Sequence, residues 1–202
     1  MDKIKIWNDN PSESQAQEIA DVLASGGLAI IPTDSVYAIV CDALNQKAIN
    51  ELCRLKGLDP EKNNLSIICS DISMAAEYAI IDDAGFNLIK DLTPGPFTFL
   101  FRSSRHLPKA FKGRKTVGVR IPDSATARAI ATTLGHPILT TSIEFADDDE
   151  AREPDLIADR YGNRGIDLIA DAGDGDNQYT TIIDCRESES PEIIRQGKGI
   201  LD

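Results

Sequence analysis

Polar and charged side chains recur where apolar, strand-like segments of the chain end or are interrupted. They are Thr33, Asp34 and Ser35; Lys56 and Lys62; Thr98; Arg120; Thr141 and Ser142; Thr180 and Thr181; and Arg195. Because strand ends line ligand crevices in open α/β sheets, we expect these side chains to meet at one site. The cations among them would form its floor: Lys56, Lys62, Arg120 and Arg195. Such a floor suits a polyphosphate, because guanidinium and ammonium groups neutralise phosphate oxygens.

The same four cations have a simpler interpretation. They can be scattered surface charges that pair locally with the acidic residues of the chain, as most exposed Lys and Arg side chains do. The spacing of the residues alone leaves both interpretations open.

The elements that must position these side chains follow from the apolar periodicity of the chain. Strands are predicted at residues 4–7, 28–31, 36–41, 65–69, 97–101, 116–121, 138–142, 166–170, 180–184 and 192–195. Helices are predicted from the capping box of Ser12 and Gln15 to Gly26, from Asn45 to Lys56, after the caps Asp71 and Asp82, over 125–134, and from Pro154. The acidic stretch 144–155 is predicted to be a solvated loop. This order predicts a single α/β domain over residues 1–202, with helices packed on a twisted, open, mixed sheet.

Charge and composition exclude several classes of function. The 202 residues include 21 Lys and Arg against 33 Asp and Glu, so the net charge is −12. The overall field therefore opposes extended nucleic-acid binding and anionic membranes, although it does not oppose contact between one RNA loop and a local basic pocket. No apolar run approaches the roughly 20 residues of a spanning helix, and the first residues lack the apolar stretch of a signal peptide. We therefore expect a cytoplasmic protein whose four cysteines are plain core thiols.

Common catalytic and binding motifs are missing from the sequence. It contains no GxGxxG, GxxxxGK[ST], HExxH or GxSxG. Residues 171–176 superficially resemble a calcium loop, but the third loop position is Gly173, which has no side chain to ligate the ion. We therefore predict a turn there and no metal site formed by the protein.

One segment and five shorter stretches resemble the YrdC/YciO-like family, which includes threonylcarbamoyl-adenylate synthases of tRNA modification. PTDSVYA at residues 32–38 resembles PTDTVYG of that family. The other matches follow in the family's order: KG at 56–57, TPGPFT at 93–98, VGVRIP at 117–122, TTIID at 180–184 and IRQG at 194–197. Each is weak alone, but six in order over residues 12–199 make a specific resemblance.

The resemblance implies a concave cationic cavity on a twisted mixed sheet, with ATP, L-threonine and bicarbonate as substrates. The products would be threonylcarbamoyl-AMP and pyrophosphate, and Mg²⁺ would accompany ATP. The catalytic residues carried over are Lys56, Arg120 and Arg195. The substrate-binding residues carried over are Thr33, Tyr37, Lys62, Thr98, Thr141, Ser142 and Thr181.

The sequence departs from the synthase pattern at two places. The synthases carry Lys-x-Arg followed by Lys-Pro, whereas here Leu58 replaces the Arg and Asn63 replaces the Pro. The synthases also carry Ser-x-Asn, whereas here Glu144 replaces the Asn. These changes resemble the YciO-like branch and predict a weakened synthase activity, because a phosphate-binding fork is lost and a like charge is added. The alternative is a non-catalytic RNA- or nucleotide-binding relative that kept the cavity.

Overall fold

The computed structural model describes residues 1–60, 62–111 and 115–201. Its strands are β1 (Asp2–Lys5), β2 (Ala29–Ile31), β3 (Ala38–Asp42), β4 (Ser66–Ile68), β5 (Ala79–Ile80), β6 (Phe97–Ser103), β7 (Thr116–Arg120), β8 (Ile138–Ser142), β9 (Leu168–Asp171), β10 (Thr181–Asp184) and β11 (Glu192–Arg195). Its helices are α1 (Glu13–Ala24), α2 (Gln46–Lys56), α3 (Ile72–Tyr78), α4 (Asp83–Leu92), α5 (Ala125–Leu134), α6 (Asp148–Arg152) and α7 (Pro154–Tyr161). A short 3₁₀ helix spans Lys109–Phe111.

All the strands join one mixed sheet. Ten of them follow the order β1-β9-β2-β3-β8-β4-β7-β6-β10-β11, and β5 pairs with β6 outside that path. The pairs β1–β9, β9–β2, β4–β7 and β6–β10 are parallel. The remaining neighbours are antiparallel. The predicted α/β class with an open mixed sheet is confirmed.

Several helix boundaries are fixed by the local chemistry that the sequence predicts. The Ser12 hydroxyl accepts from the Gln15 backbone amide, and the Gln15 side-chain oxygen accepts from the Ser12 backbone amide. The predicted capping box is therefore confirmed. Asp71 and Asp82 cap α3 and α4 through their carboxylates. Gly135 ends α5 in the left-handed region, at a φ of 78° where a side chain would be strained.

The predicted loop at 144–155 is wrong. Residues Asp148–Arg152 form α6, and the Asp147 side chain caps it by accepting from the Glu150 amide. Three of the acids in this stretch, Asp148, Asp149 and Glu150, lie in the first turn of this helix, where carboxylates interact favourably with the helix dipole. Pro154 opens α7 at its first position, as predicted.

The two faces of the sheet are covered differently. One face packs against α2, α3, α4 and α7 in the larger apolar core. The other packs against α1 and α5, through Ile19, Leu23, Ala127 and Ile130, over only part of its width. The four cysteines are free and buried, as predicted. Within the described ranges, no helix combines the length and apolar character that crossing a bilayer requires.

Candidate functional site

The face that carries α1 and α5 has two regions, which differ in the side chains that the strands present. The covered half lies under the two helices and is apolar: Ala29, Ile31, Ala38, Val40, Ile68 and Ile138. The open half lies beyond the helices. Strand alternation and register place these residues on it: Ser66, Thr98, Gly118, Arg120, Thr140, Ile182 and Arg195.

A cavity of about 200 Å³ lies on the open half, and we call it the inner cavity. The residues that line it are Leu52, Leu58, Asn63, Asn64, Leu65, Ser66, Thr98, Arg120, Leu139, Thr140, Thr141, Ser142, Thr180, Ile182 and Arg195. Among these described lining residues there are two arginines and no carboxylate. In a chain of net charge −12, that lining is a local concentration of positive charge.

Arg120 lies at the boundary between the two halves, at the end of β7. Its Nη2 donates to Asp34 Oδ1 at 3.0 Å and to Ser35 Oγ at 3.1 Å. Its Nε is buried and has no hydrogen-bond partner among the described residues. Burial lowers the pKa of Arg120, and Arg195 acts in the same direction while Asp34 opposes it. Arg120 therefore keeps one buried donor unused, beside the cavity that it lines.

Arg195 reaches the same cavity from the edge strand β11. Its Nη2 donates to the Thr180 carbonyl at 2.9 Å, and its guanidinium lies over the Tyr179 ring at 5.2 Å from the centroid. Burial lowers the pKa of Arg195. The ring and the carbonyl hold the guanidinium plane in place, so the remaining donors are oriented before a ligand arrives.

Hydroxyl groups surround the two arginines. Thr98 Oγ1 and Thr180 Oγ1 share a hydrogen bond of 2.9 Å. Thr140 Oγ1 is buried without a partner in the described ranges, which leaves a second polar atom free for a ligand. Gly118 packs closely against Ser66 on the same face, since a Cβ at residue 118 would collide with the Ser66 side chain.

Lys56 ends α2 beside the departure from the synthase pattern. Its ammonium lies 2.9 Å from Glu144 Oε1, and its side chain is only 8% exposed. The hydrogen bond from Lys56 lowers the pKa of the Glu144 carboxyl, so Glu144 is ionised near neutral pH. Glu144 therefore neutralises Lys56, which was predicted for the cavity floor but is not among the lining residues. Leu58 contributes an apolar side chain to the lining.

The structure brings together only part of the predicted set. Thr98, Arg120, Thr141, Ser142 and Arg195 line the inner cavity.

The other predicted substrate-binding residues do not line the inner cavity. Thr33 Oγ1 donates to the Val36 carbonyl within its own turn and accepts from Arg120 Nη2 at 3.5 Å. The Tyr37 ring is buried in the larger core, and its hydroxyl donates to the Gly173 carbonyl at 2.7 Å. Lys62 is 83% exposed and lies 3.4 Å from Asp59. Thr181 is fully buried, and its hydroxyl donates to the Gly199 carbonyl.

Sequence reasoning missed residues that support the site. Asp34 is expected at the site but without a role of its own, and the structure shows that it holds Arg120. Lys198 was not considered, yet its ammonium donates to the Asp34 carbonyl and pairs with Asp176, each at 2.7 Å. Thr180, rather than Thr181, faces the cavity. The alternation of side chains along β10 is the signal that separates the last two, once the register of the strand is known.

Comparison with known proteins places this geometry in a family. The model of the Sua5/YciO/YrdC family, described as "Telomere recombination", matches residues 21–197. The chain belongs to this family. It is 33% identical to the uncharacterized protein YciO of Escherichia coli, over 96% of this chain and 94% of that protein. It is 34% identical to an uncharacterized protein of Haemophilus influenzae, with the same coverage. The predicted family and its YciO-like branch are confirmed.

Solved structures agree with the Sua5/YciO/YrdC assignment. The crystal structure of E. coli YciO matches with a TM-score of 0.90 and 31% identity, over 99% of this chain and 98% of that one. Sua5 of P. abyssi, solved in complex with L-threonine, has the same fold, with a TM-score of 0.83 and 24% identity. That match covers 97% of this chain and 57% of the Sua5 chain.

Proposed function

We propose that this member of the family is an ATP-dependent nucleotidyltransferase that forms threonylcarbamoyl-AMP from L-threonine, bicarbonate and ATP. The observation that carries the proposal is the inner cavity, whose described lining has Arg120 and Arg195 but no carboxylate. Membership of the family supports it. The complex of the structural relative Sua5 with L-threonine supports the amino-acid substrate.

In this reaction the protein mainly aligns the substrates and stabilises the charge on the phosphate oxygens. The threonine amine and bicarbonate give a carbamate with loss of water. A carbamate oxygen then bonds to the α-phosphorus of ATP, and the bond from that phosphorus to the bridging oxygen breaks as pyrophosphate leaves. The nucleophile is already anionic, so no strong general base is needed. Arg195 and the unused Nε of Arg120 stabilise the charge on the phosphate oxygens.

The residues present fit a magnesium ion that enters with ATP rather than one held in a protein cage. The described part of the chain has no cluster of three or more metal-ligating side chains. Asp34 and Glu144 are already held by Arg120 and Lys56. Mg²⁺ commonly keeps several waters and binds through substrate phosphates, so it would enter as part of the ATP substrate.

A second candidate function rests on the contact between Lys56 and Glu144. Because Glu144 neutralises Lys56 and Leu58 offers no charge, the inner cavity has fewer free cations than the synthase pattern implies. A chain of this kind can bind a nucleotide without turning it over. Contact with an RNA loop stays a prediction of this second function.

Threonine- and bicarbonate-dependent release of pyrophosphate from ATP tests the two candidates. Release from the wild-type chain supports the transferase, and Arg195→Gln should lower kcat/KM at least tenfold, about 1.4 kcal/mol. Arg54→Gln is the matched control, because Arg54 is exposed on α2 and forms an ion pair with Glu51, its single ion-pair partner among the described residues. ATP binding without release favours the second candidate. Absence of ATP binding contradicts the transferase and the nucleotide-binding form of the second candidate.

A further inference from the structure

A second, larger cavity lies on the same sheet face, toward the far ends of β6 and β7. Its volume is about 1040 Å³, and we call it the outer cavity. The residues that line it are Ile80, Arg102, Ser103, Ser104, Arg105, Lys115, Thr116, Asp184, Arg186, Glu187, Ser190 and Glu192. None of them lines the inner cavity. Arg102 follows Thr98 by four residues of one strand, so the two sites are separated by roughly 13 Å.

The sequence around three of these lining residues is rich in positive charge. Residues 102–115 include six of the 21 Lys and Arg residues and no Asp or Glu. Three of the six, Arg102, Arg105 and Lys115, line the outer cavity. In a chain of net charge −12, such a segment is a strong local departure from the average field.

The acids that face the outer cavity neutralise only part of this charge. Asp184 is engaged by Arg186, and Glu187 lies 3.0 Å from Arg102. The Arg102–Glu187 pair is 61% and 83% exposed, so it is weak and a phosphate can replace the carboxylate. Glu192 is an exposed carboxylate at the edge of the cavity.

Two cations and one apolar side chain remain available to a ligand. Within the part of the chain that the structure describes, Arg105 and Lys115 have no ion pair. Ile80 is 60% exposed and offers an apolar surface beside them. Cavities of this size suit small molecules, which bind through a few polar groups and an apolar contact.

We propose that the outer cavity binds a small, multiply phosphorylated molecule, at a site separate from the inner cavity. Arg105 and Lys115 neutralise its phosphates. Arg102 leaves its ion pair with Glu187 and binds a phosphate instead, and Ile80 contacts the carbon part of the molecule. The site does not depend on the proposed transferase activity.

Calorimetric titration with inorganic tripolyphosphate at low salt tests the site. The double variant Arg105→Gln, Lys115→Gln removes both charges and keeps polar side chains, and we call it the outer-cavity variant. The wild-type chain should bind one equivalent more than this variant. The matched control is Lys90→Gln, Lys109→Gln, because both lysines are exposed and neither lines the cavity. The control removes the same net charge and should change the affinity less than twofold, whereas the outer-cavity variant should weaken the outer-site binding at least tenfold.

Each other outcome overturns the proposal. Equal loss in both double variants would show that only the overall field attracts the anion. Loss in Arg195→Gln with no change in the outer-cavity variant would assign all binding to the inner cavity. Binding of a single-stranded oligonucleotide but not of tripolyphosphate would identify a nucleic-acid surface instead. If the transferase proposal fails, the wild type should still bind one equivalent that the outer-cavity variant loses, so the two failures are distinguishable.

Discussion

The covered and open halves of one sheet face share strands but not chemistry. Ile68 and Ile138 lie under α1 and α5. Ser66 and Thr140 lie on the same face of the same two strands, each two residues away from one of these isoleucines. The difference shows that helix cover, rather than strand propensity, decides which residues this face carries. Where the helices end, the face turns polar and the inner cavity begins.

Arg120 connects the two halves. Its register partner on β4 is Ile68 of the covered half, yet its guanidinium lines the inner cavity with Thr98. Asp34 holds it in place from the turn between β2 and β3. The boundary is therefore where an ion pair replaces apolar packing, and the following predictions test each side of it.

The largest expected effect is in the covered half. Ile68→Ala should lower the free energy of unfolding by about 2–5 kcal/mol, because it leaves a hole in a fully buried site. Ser66→Ala, two residues earlier, should change it by less than about 0.5 kcal/mol. Urea unfolding measures both. Equal effects would contradict the division of this face.

The second-largest effect on the free energy of unfolding is expected at the boundary between the two halves. Asp34→Asn should lower the free energy of unfolding by about 1.5–3 kcal/mol, because it removes the counter-charge of the buried Arg120 guanidinium. Asp123→Asn is the matched control, since Asp123 is 73% exposed and lies 3.6 Å from Arg128. Urea unfolding that shows no more loss than in the control would remove Arg120 from its role at the boundary.

In the open half, one substitution should weaken ATP binding and at the same time stabilise the fold. Thr140→Val removes a buried hydroxyl that has no partner among the described residues. It should raise the free energy of unfolding by about 1 kcal/mol and weaken ATP binding about fivefold, the effect of one neutral hydrogen bond. Urea unfolding and calorimetry measure the two. A less stable variant with unchanged ATP affinity would assign Thr140 to the fold alone.

The smallest effect concerns the pair beside the inner cavity. Lys56 lowers the pKa of Glu144, so this pair stabilises the fold above the ordinary carboxyl pKa of about 4.3. The contribution disappears as the pH falls through the lowered value. Glu144→Gln should therefore lower the free energy of unfolding by less than about 1 kcal/mol at pH 7, and by less at pH 3 than at pH 7.

Urea midpoints at the two pH values measure that difference. The control is Glu189→Gln, because Glu189 is exposed and has no ion pair within the described ranges. A difference between wild type and Glu144→Gln that grows toward pH 3 would contradict the direction of the shift.

The sequence was sufficient to predict elements whose boundaries depend on local chemistry. The predicted ranges of α5, β8 and β11 agree with the structure, because caps and apolar periodicity act within one element. The two-residue β5 and the acidic α6 were missed, since one is too short to show a period and the other has the composition of a loop. Strand order and register were not predictable, because they depend on contacts distant in sequence.

The same limit applies to the site. Arg120 and Arg195 were found because each follows an apolar strand and matches a family motif. The resemblance carries over Thr181, whereas Thr180 lines the cavity, because one residue of register decides which side chain faces it. Tyr37 lies beside the predicted turn in sequence, yet its ring is directed into the core. Proximity along the chain indicated the site but not the direction of each side chain.

A crystal structure of the chain grown with L-threonine and a non-hydrolysable ATP analogue tests the central claim most directly. We expect the phosphates to lie on the open half, within hydrogen-bond distance of Arg195 and of Arg120 Nε. The hydroxyls of Thr98, Thr140 and Thr180 should lie nearby. An analogue bound away from these residues, or an inner cavity without ligand at saturating concentration, would contradict it.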